Sequence, residues 1–171
     1  TRTGLLSNPL RDRFGIDLRL SFYPPEDLAK IIRRSAGILG TEIDAGGALA
    51  LAKSSRGTPR IANRLLKRAR DFAAAMGSSI ITADVINTTL AQLHIDASGL
   101  DQIDREYLNA IIMHYAGGPV GIDNLAAALA EPADTIEDVI EPYLMQLGLI
   151  QRTPRGRIVT DAGYRHMGLE K

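Results

Sequence analysis

The chain has 171 residues, 45% of them hydrophobic and 23% charged, with 20 Lys and Arg balanced by 20 Asp and Glu and no cysteine. This length and composition suit a globular protein of one large or two small domains, and the lack of cysteine excludes disulfides, zinc thiolate sites and thiol nucleophiles. No apolar run approaches the ~18 residues that span a bilayer and nothing resembles a secretory leader, so no membrane partner is expected and a cytoplasmic location is.

The zero net charge hides an asymmetry. Thr1 to Ala97 carry 14 Lys and Arg against 9 Asp and Glu, whereas Ser98 to Lys171 carry 6 against 11. Two domains meeting near His94 to Gly99 would account for it, and any DNA contact must come from local clusters rather than global charge.

In chain order, Leu5 to Arg11 reads as a short apolar helix-like segment between Gly4 and Gly15. A strand-like alternation follows at Ile16, Leu18, Leu20 and Phe22. Such a strand has no partner nearby for its ladder hydrogen bonds, and so looks like the last strand of a sheet whose other strands lie elsewhere. From Pro24 to Ala97 the pattern is helical. Pro25 to Leu39 carries a stripe at Leu28, Ile31, Ile32, Ala36 and Leu39 and ends at Gly40; Asp44 caps a second helix, Ala45 to Ser54. The third runs from Pro59 to Met76 with Thr58 as N-cap, burying Ile61, Leu65, Leu66, Ala69 and Phe72. Thr82 caps a fourth, Ala83 to Leu93.

From Ser98 the reading changes. Asp101 to Tyr115 is amphipathic, GGPVG is a turn, Asp123 caps Asn124 to Ala130, and Thr135 with Asp138 resembles a capping box for a helix reaching Leu147, interrupted by Pro142. Gly148 ends it. Leu149 to Thr153 and Arg157 to Thr160 then form a two-strand ribbon around Pro154, Arg155 and Gly156. Three helices followed by a hairpin is the winged-helix arrangement.

Two clusters carry chemical signals. In SRGTPRIANRLLKRARD, Pro59 at the first helical position puts Arg60 beside a helix N-terminus, where backbone amides and the macrodipole favour an anion such as phosphate, while Arg64, Lys67 and Arg68 continue a basic face. In RTPRGR, Arg152, Arg155 and Arg157 crowd a hairpin tip suited to DNA phosphates. The helix before it carries Glu137, Asp138 and Glu141, which would repel a duplex, so the wing rather than the helix is expected to touch DNA. There is no GxSxG, HExxH or P-loop motif, and His94, His114 and His166 lack ligand spacing.

The segments LLSNPLRDRFGI, RGTPRIANRLLKRARDFA and GGPVGIDNLAAALAEPADTIEDVIEPYLMQLGLIQRTPRGR closely resemble the RuvB family, the bacterial Holliday-junction branch-migration motors of the AAA+ class. The resemblance extends over essentially the whole chain. It implies a mainly α fold: the end of an α/β ATPase core over residues 1–23, a helical AAA+ lid over 24–97, and a winged-helix DNA-binding domain over 98–171. It also implies residue roles. Arg13 matches the arginine finger that reaches a neighbouring subunit's γ-phosphate, Arg60 the sensor-2 arginine of the lid, Tyr23 a position that packs on the nucleotide, and Thr1 the sensor-1 residue. Arg152, Arg155 and Arg157 match the DNA-contacting wing. The cofactor would be ATP or ADP with Mg2+, whose ligands would lie upstream of Thr1 with the P-loop, so that this stretch alone would hydrolyse no ATP. Partners would be double-stranded DNA at Holliday junctions, further copies of itself in a hexameric ring, RuvA through the upstream part, and RuvC in a larger complex. Two other readings stay open on the residues: a different DNA-linked AAA+ protein, such as an initiator or clamp-loader relative, and a non-enzymatic winged-helix regulator.

Overall fold

In the computed structural model, Arg13 and residues 21–170 are described. Thr1, the helix-like Leu5 to Arg11 and the strand positions Ile16, Leu18 and Leu20 lie outside them, as does nearly all of the expected core remnant. Phe22, the last position of that alternation, belongs to no strand.

Helix α1, Pro25–Ile38, starts where Pro25 can spare its missing amide hydrogen and where Glu26 and Asp27 complement the positive end of the dipole. Leu28, Ile32 and Ala36, spaced by four, make its buried stripe. Asp44 Oδ1 accepts the Gly47 amide at 2.6 Å and opens α2, Ala45–Lys53; Thr82 does the same with Val85 for α4, Ala83–Gln92. Between them lies α3, Pro59–Ala75. Two-residue strands precede both capped helices, β1 at Glu42–Ile43 and β2 at Ile80–Ile81, and pair in parallel. Neither was legible in the sequence, because so short a strand has no period to read. Leu51, Leu65, Leu66, Ile81 and Ile86 join Leu28 and Ile32 in one core from which water is excluded. Each such side chain contributes about 1.5–3 kcal/mol.

A second core collects Leu100, Tyr107, Leu108, Ile111, Leu125, Ile136, Leu144, Ile150 and Val159. Its helices are α5, Gln102–Tyr115, opened by a reciprocal capping box between Asp101 and Asp104, and α6, Ile122–Leu129. Gly121 rather than Asp123 occupies the N-cap of α6, and Asp123 sits in the first turn, where its charge still complements the dipole. The next helix also departs from expectation. It begins as α7, Ala133–Thr135, after Pro132, so Thr135 has helical angles (φ −65°, ψ −43°) and caps nothing. A π-turn follows at Ile136–Ile140, in which the Glu141 amide reaches back five residues to Ile136, and α8, Glu141–Gln146, completes the helix. Pro142 explains the widening: in a regular α-helix its ring would meet the carbonyl of Asp138, and one extra residue in the turn relieves that clash.

Strands β3, Ile150–Thr153, and β4, Gly156–Val159, form the antiparallel ribbon, and Val120 adds a short third edge through two backbone hydrogen bonds with Arg157. A final helix, α9, Asp161–His166, is capped by Thr160 and seats Tyr164 on the second core.

The two cores meet along the loop after α2. Ser54 Oγ donates to Ala97 O at 3.1 Å, and Gly99, at φ +82°, lies so close to Ser54 that a Cβ would come within 2.6 Å of its carbonyl oxygen. Arg56 donates through Nε to Gly99 O at 2.8 Å, grips Asp104 Oδ2 and lies 3.2 Å from Asp101 Oδ2, with its guanidinium 5.0 Å from the centre of the Tyr143 ring. His166 Nε2 approaches Asp96 Oδ2 at 2.8 Å. Asp104 is fully buried and its Oδ1 finds no donor among the described residues; burial pushes its carboxyl up to about 6, against the opposing pull of Arg56 and of the Asp101 amide.

A carboxyl titration by NMR should therefore place Asp104 near pH 6. Its folded value lies above the ~3.9 of an unfolded chain, so its contribution to stability is complete below about pH 4 and is lost as the pH rises through 6. Arg56→Met, which removes the cation, should move the midpoint higher still; a midpoint at or below 4 in the unaltered protein would contradict this account.

Candidate functional site

The loop between α2 and α3 carries the first constellation. Its Gly57 carbonyl accepts the Tyr23 amide at 2.9 Å, which lays the segment entering α1 alongside the start of α3. Between the two segments lies a cleft of about 470 Å³ lined by Ser21, Phe22, Tyr23, Pro24, Gly57, Thr58 and Pro59. Phe22 and Tyr23 are 55% and 47% exposed, so aromatic surface faces the opening. Gly57 fits only because it lacks a side chain, since its Cβ would fall 2.7 Å from that of Phe22.

Thr58 occupies the N-cap of α3 as expected but does not cap it. Its hydroxyl donates to Arg56 O at 3.0 Å instead, so among the described residues no N-cap side chain serves the first amides of a 17-residue helix. Arg60 stands exposed in that first turn, immediately after the cleft-lining Pro59. Donors, dipole and guanidinium thus favour an anion at one end of an aromatic cleft. Along α3, Arg64, Lys67 and Arg68 are exposed, and none of the four cations pairs with another described residue. The buried stripe is Ala62, Leu65, Leu66, Ala69 and Ala73, with Ile61 and Phe72 only half-buried. Tyr23 therefore lines the cleft, while Arg60 is not among its lining residues but directly follows the last of them, Pro59. Arg13 is exposed in a turn and is not among the cleft-lining residues, and Thr1 lies outside the described residues.

The second constellation is the wing, and here two expectations are corrected. Of the three arginines, only Arg155 sits in the turn and projects from it; Arg152 and Arg157 face each other across the ribbon and fold back onto α8. Arg152 Nε donates to Glu141 Oε2 at 2.5 Å, Arg157 Nε to Glu141 Oε1 at 2.8 Å, and Arg157 Nη2 to Glu137 Oε1 at 2.5 Å. The Tyr107 hydroxyl also donates to Glu141 Oε1, at 2.9 Å, its phenol held protonated by burial and by that carboxylate. Glu141 is fully buried and Glu137 is paired, so neither is the bare, DNA-repelling charge expected from the sequence. The physical reason is desolvation: a carboxylate inside a small core is tolerable only when opposing charges satisfy it, and the ribbon brings two guanidinium groups to it. Sequence reasoning took Glu141 for an exposed charge and missed its burial. A signal existed, since Glu141 lies one residue from Ile140 and three from Leu144, on the helix face that turns inward.

A four-helix unit with an anion-favouring helix start, followed by a winged helix, is the architecture of an AAA+ lid joined to a winged-helix domain. Residues 23–96 match the family model described as the RuvB AAA lid domain, and residues 97–168 the one described as the RuvB C-terminal winged helix domain. A solved structure described as the Thermotoga maritima RuvB Holliday junction branch migration motor is 50% identical, superposes with a TM-score of 0.95, and is matched over 99% of this chain and 57% of that one. A point mutant of Thermotoga maritima RuvB is 51% identical, with the same TM-score, over 100% of this chain and 57% of its own. The chain belongs to the RuvB family. It spans 57% of the length of these solved relatives. The two alternatives open on the residues, another DNA-linked AAA+ protein and a stand-alone regulator, give way to this assignment.

Removing one partner of a buried ion pair typically costs about 3–5 kcal/mol. Glu141→Ala should therefore destabilise the second core by about that amount in urea unfolding, while Arg155→Ala, at an exposed turn, should stay within about 0.5 kcal/mol of the unaltered protein. Arg157→Ala should cost clearly more than Arg155→Ala. Equal effects at the two arginines would show that the Glu141 cluster does not hold the wing.

Proposed function

We propose that this chain is the lid and winged-helix portion of an ATP-driven motor that moves Holliday junctions along double-stranded DNA in the bacterial cytoplasm. The observation that carries the reading is the start of α3: a helix N-terminus with no side-chain cap, beside Arg60 and an aromatic cleft of nucleotide size. The cleft would take the base of ATP or ADP against Tyr23, and the helix start with Arg60 would face the phosphates, so that the lid responds to nucleotide state. Spreading negative charge onto a guanidinium is the chemistry phosphoryl transfer requires, and Arg13 would supply a second one to a neighbouring subunit of a hexameric ring. Among the described residues no group of side chains is arranged to hold a metal, and the 171 residues contain no P-loop, so the ligands of the ATP-bound Mg2+ and the hydrolytic machinery would come from the rest of the motor, as would contact with RuvA; RuvC would join a larger assembly. Thr1 would act as the sensor-1 residue.

On the DNA side, Arg155 is the arginine best placed for backbone contact, Arg152, still 41% exposed, contributes charge behind it, and Arg157 holds the wing at its angle. Phosphate contacts carry no base information, which suits a motor that must pass over any sequence.

In the full-length protein, Arg60→Ala should lower ATP hydrolysis at least about tenfold, a loss of roughly 1.4 kcal/mol or more of transition-state stabilisation, with no comparable loss of thermal stability. Rings mixed from Arg13→Ala subunits and subunits with a disabled P-loop should regain part of the activity that either lacks alone. Hydrolysis unaffected by Arg60→Ala would overturn the role proposed for Arg60.

Duplex binding offers a separate check. Arg155→Ala should weaken affinity about equally for unrelated sequences and reduce the slope of log K against log salt by about one. Loss confined to one sequence would contradict backbone binding.

A further inference from the structure

The five residues between α2 and α3, Ser54 to Thr58, touch both functional surfaces. On one side Gly57 accepts the Tyr23 amide and, with Thr58, lines the cleft; on the other the Arg56 side chain reaches across to the winged helix. Adjacent residues of one turn therefore face two sites that share no other described loop.

The turn has little slack. Arg56 itself adopts φ +51°, a left-handed conformation that is strained for a non-glycine residue, and Gly57 follows at φ +63°. A glycine at position 56 would relax that backbone, so the arginine side chain must be what the position requires. Two of its three nitrogens are engaged, Nε on Gly99 O and Nη2 on Asp104 and close to Asp101, and the guanidinium lies against Tyr143. The side chain is 16% exposed, which sets it apart from the cations of α3. Close packing seals both flanks, Gly57 against Phe22 and Gly99 against Ser54.

The groups that Arg56 holds are themselves well anchored. Asp104 opens α5 through its reciprocal capping box with Asp101. Tyr143 donates to Ser98 O at 2.5 Å and lies two residues beyond Glu141, the carboxylate that fixes the wing. A shift of the Gly57 carbonyl would thus pass through Arg56 to the first turn of α5 and to α8, and from α8 to the wing. Packed elements of this kind move as bodies rather than deform.

We propose that Arg56 is a positioning residue that links occupancy of the Tyr23–Gly57 cleft to the orientation of the winged helix, so that nucleotide affinity and DNA affinity depend on each other through this side chain. The proposal rests on the reading of the cleft as the nucleotide site. Arg56 touches neither ligand. Its substitution removes the linkage while each ligand still binds.

The test uses the full-length protein and measures the dissociation constant of a fluorescent ADP analogue with and without a saturating 30-base-pair duplex, then that of the duplex with and without ADP. Linkage requires the two ratios to be equal, and in the unaltered protein each should be at least about fivefold. In Arg56→Met, which keeps length and apolar contact with Tyr143, both ratios should fall to within about twofold of unity. The affinities for nucleotide alone and duplex alone should stay within about threefold, which mere loss of structure would not allow. Arg56→Lys keeps the charge near Asp104 but not the fork that also reaches Gly99 O, and should give an intermediate ratio; if Arg56→Met does not fold, this variant decides. Ratios preserved in the folded variants, or a ratio of one in the unaltered protein while both ligands bind, would overturn the proposal. Failure of the cleft reading itself has a different signature: Tyr23→Ala and Arg60→Ala would then leave both nucleotide affinity and hydrolysis unchanged.

Discussion

A carboxylate sealed inside a small core constrains everything around it, and in this chain that carboxylate is Glu141. Water cannot reach it, so the fold must supply its counter-charges: Arg152 and Arg157 from the ribbon and the Tyr107 hydroxyl from α5. The wing consequently cannot swing freely. Two of its arginines are spent on internal neutralisation and one, Arg155, is left facing solvent at the turn. The cost of an unsatisfied buried charge, several kcal/mol, is what converts an otherwise floppy hairpin into a ribbon held at one angle.

The same device recurs where the two cores touch. Asp104 is as deeply buried as Glu141 and is likewise met by an arginine, Arg56, from a different part of the chain. Helix α8 connects the two clusters, with Glu141 at its start and Tyr143 two residues on beneath the Arg56 guanidinium. Neither carboxylate gains from a neighbour in its own helix alone. Both draw on guanidinium groups 11 to 48 residues away, and so join segments that hydrophobic packing by itself would leave free to slide. Arg60, Arg64, Lys67 and Arg68 of α3 are arranged oppositely: exposed, with no described ion-pair partner, which keeps them available to a ligand.

Local signals in the sequence were reliable where the physics is local. Asp44 and Thr82 were legible as caps because an N-cap oxygen answers amides two or three residues away, and both do so. Thr58 had the same signature and failed, because its hydroxyl found the Arg56 carbonyl first. Thr135 failed because Pro132 had already begun the helix and Pro142 had widened it into a π-turn. The cleft was half legible: Pro59 and Arg60 announced an anion-favouring helix start, but that Tyr23 lies across from Gly57 depends on a backbone hydrogen bond between residues 34 apart.

The sequence by itself determined the helices α1 to α8 in outline but not α9, that they divide into two cores, and that the ribbon closes the second of them, because amphipathic period, caps and glycine turns act over a few residues. It also carried the family, through continuous motifs. Only the tertiary structure decided what each arginine does. RTPRGR reads as three equivalent cations, yet burial of Glu141 turns two of them back to neutralise it and leaves Arg155 to solvent, and burial of Asp104 takes Arg56 out of a basic stretch and sets it between the cores. Desolvation makes that choice, and desolvation depends on what the distant parts of the chain enclose.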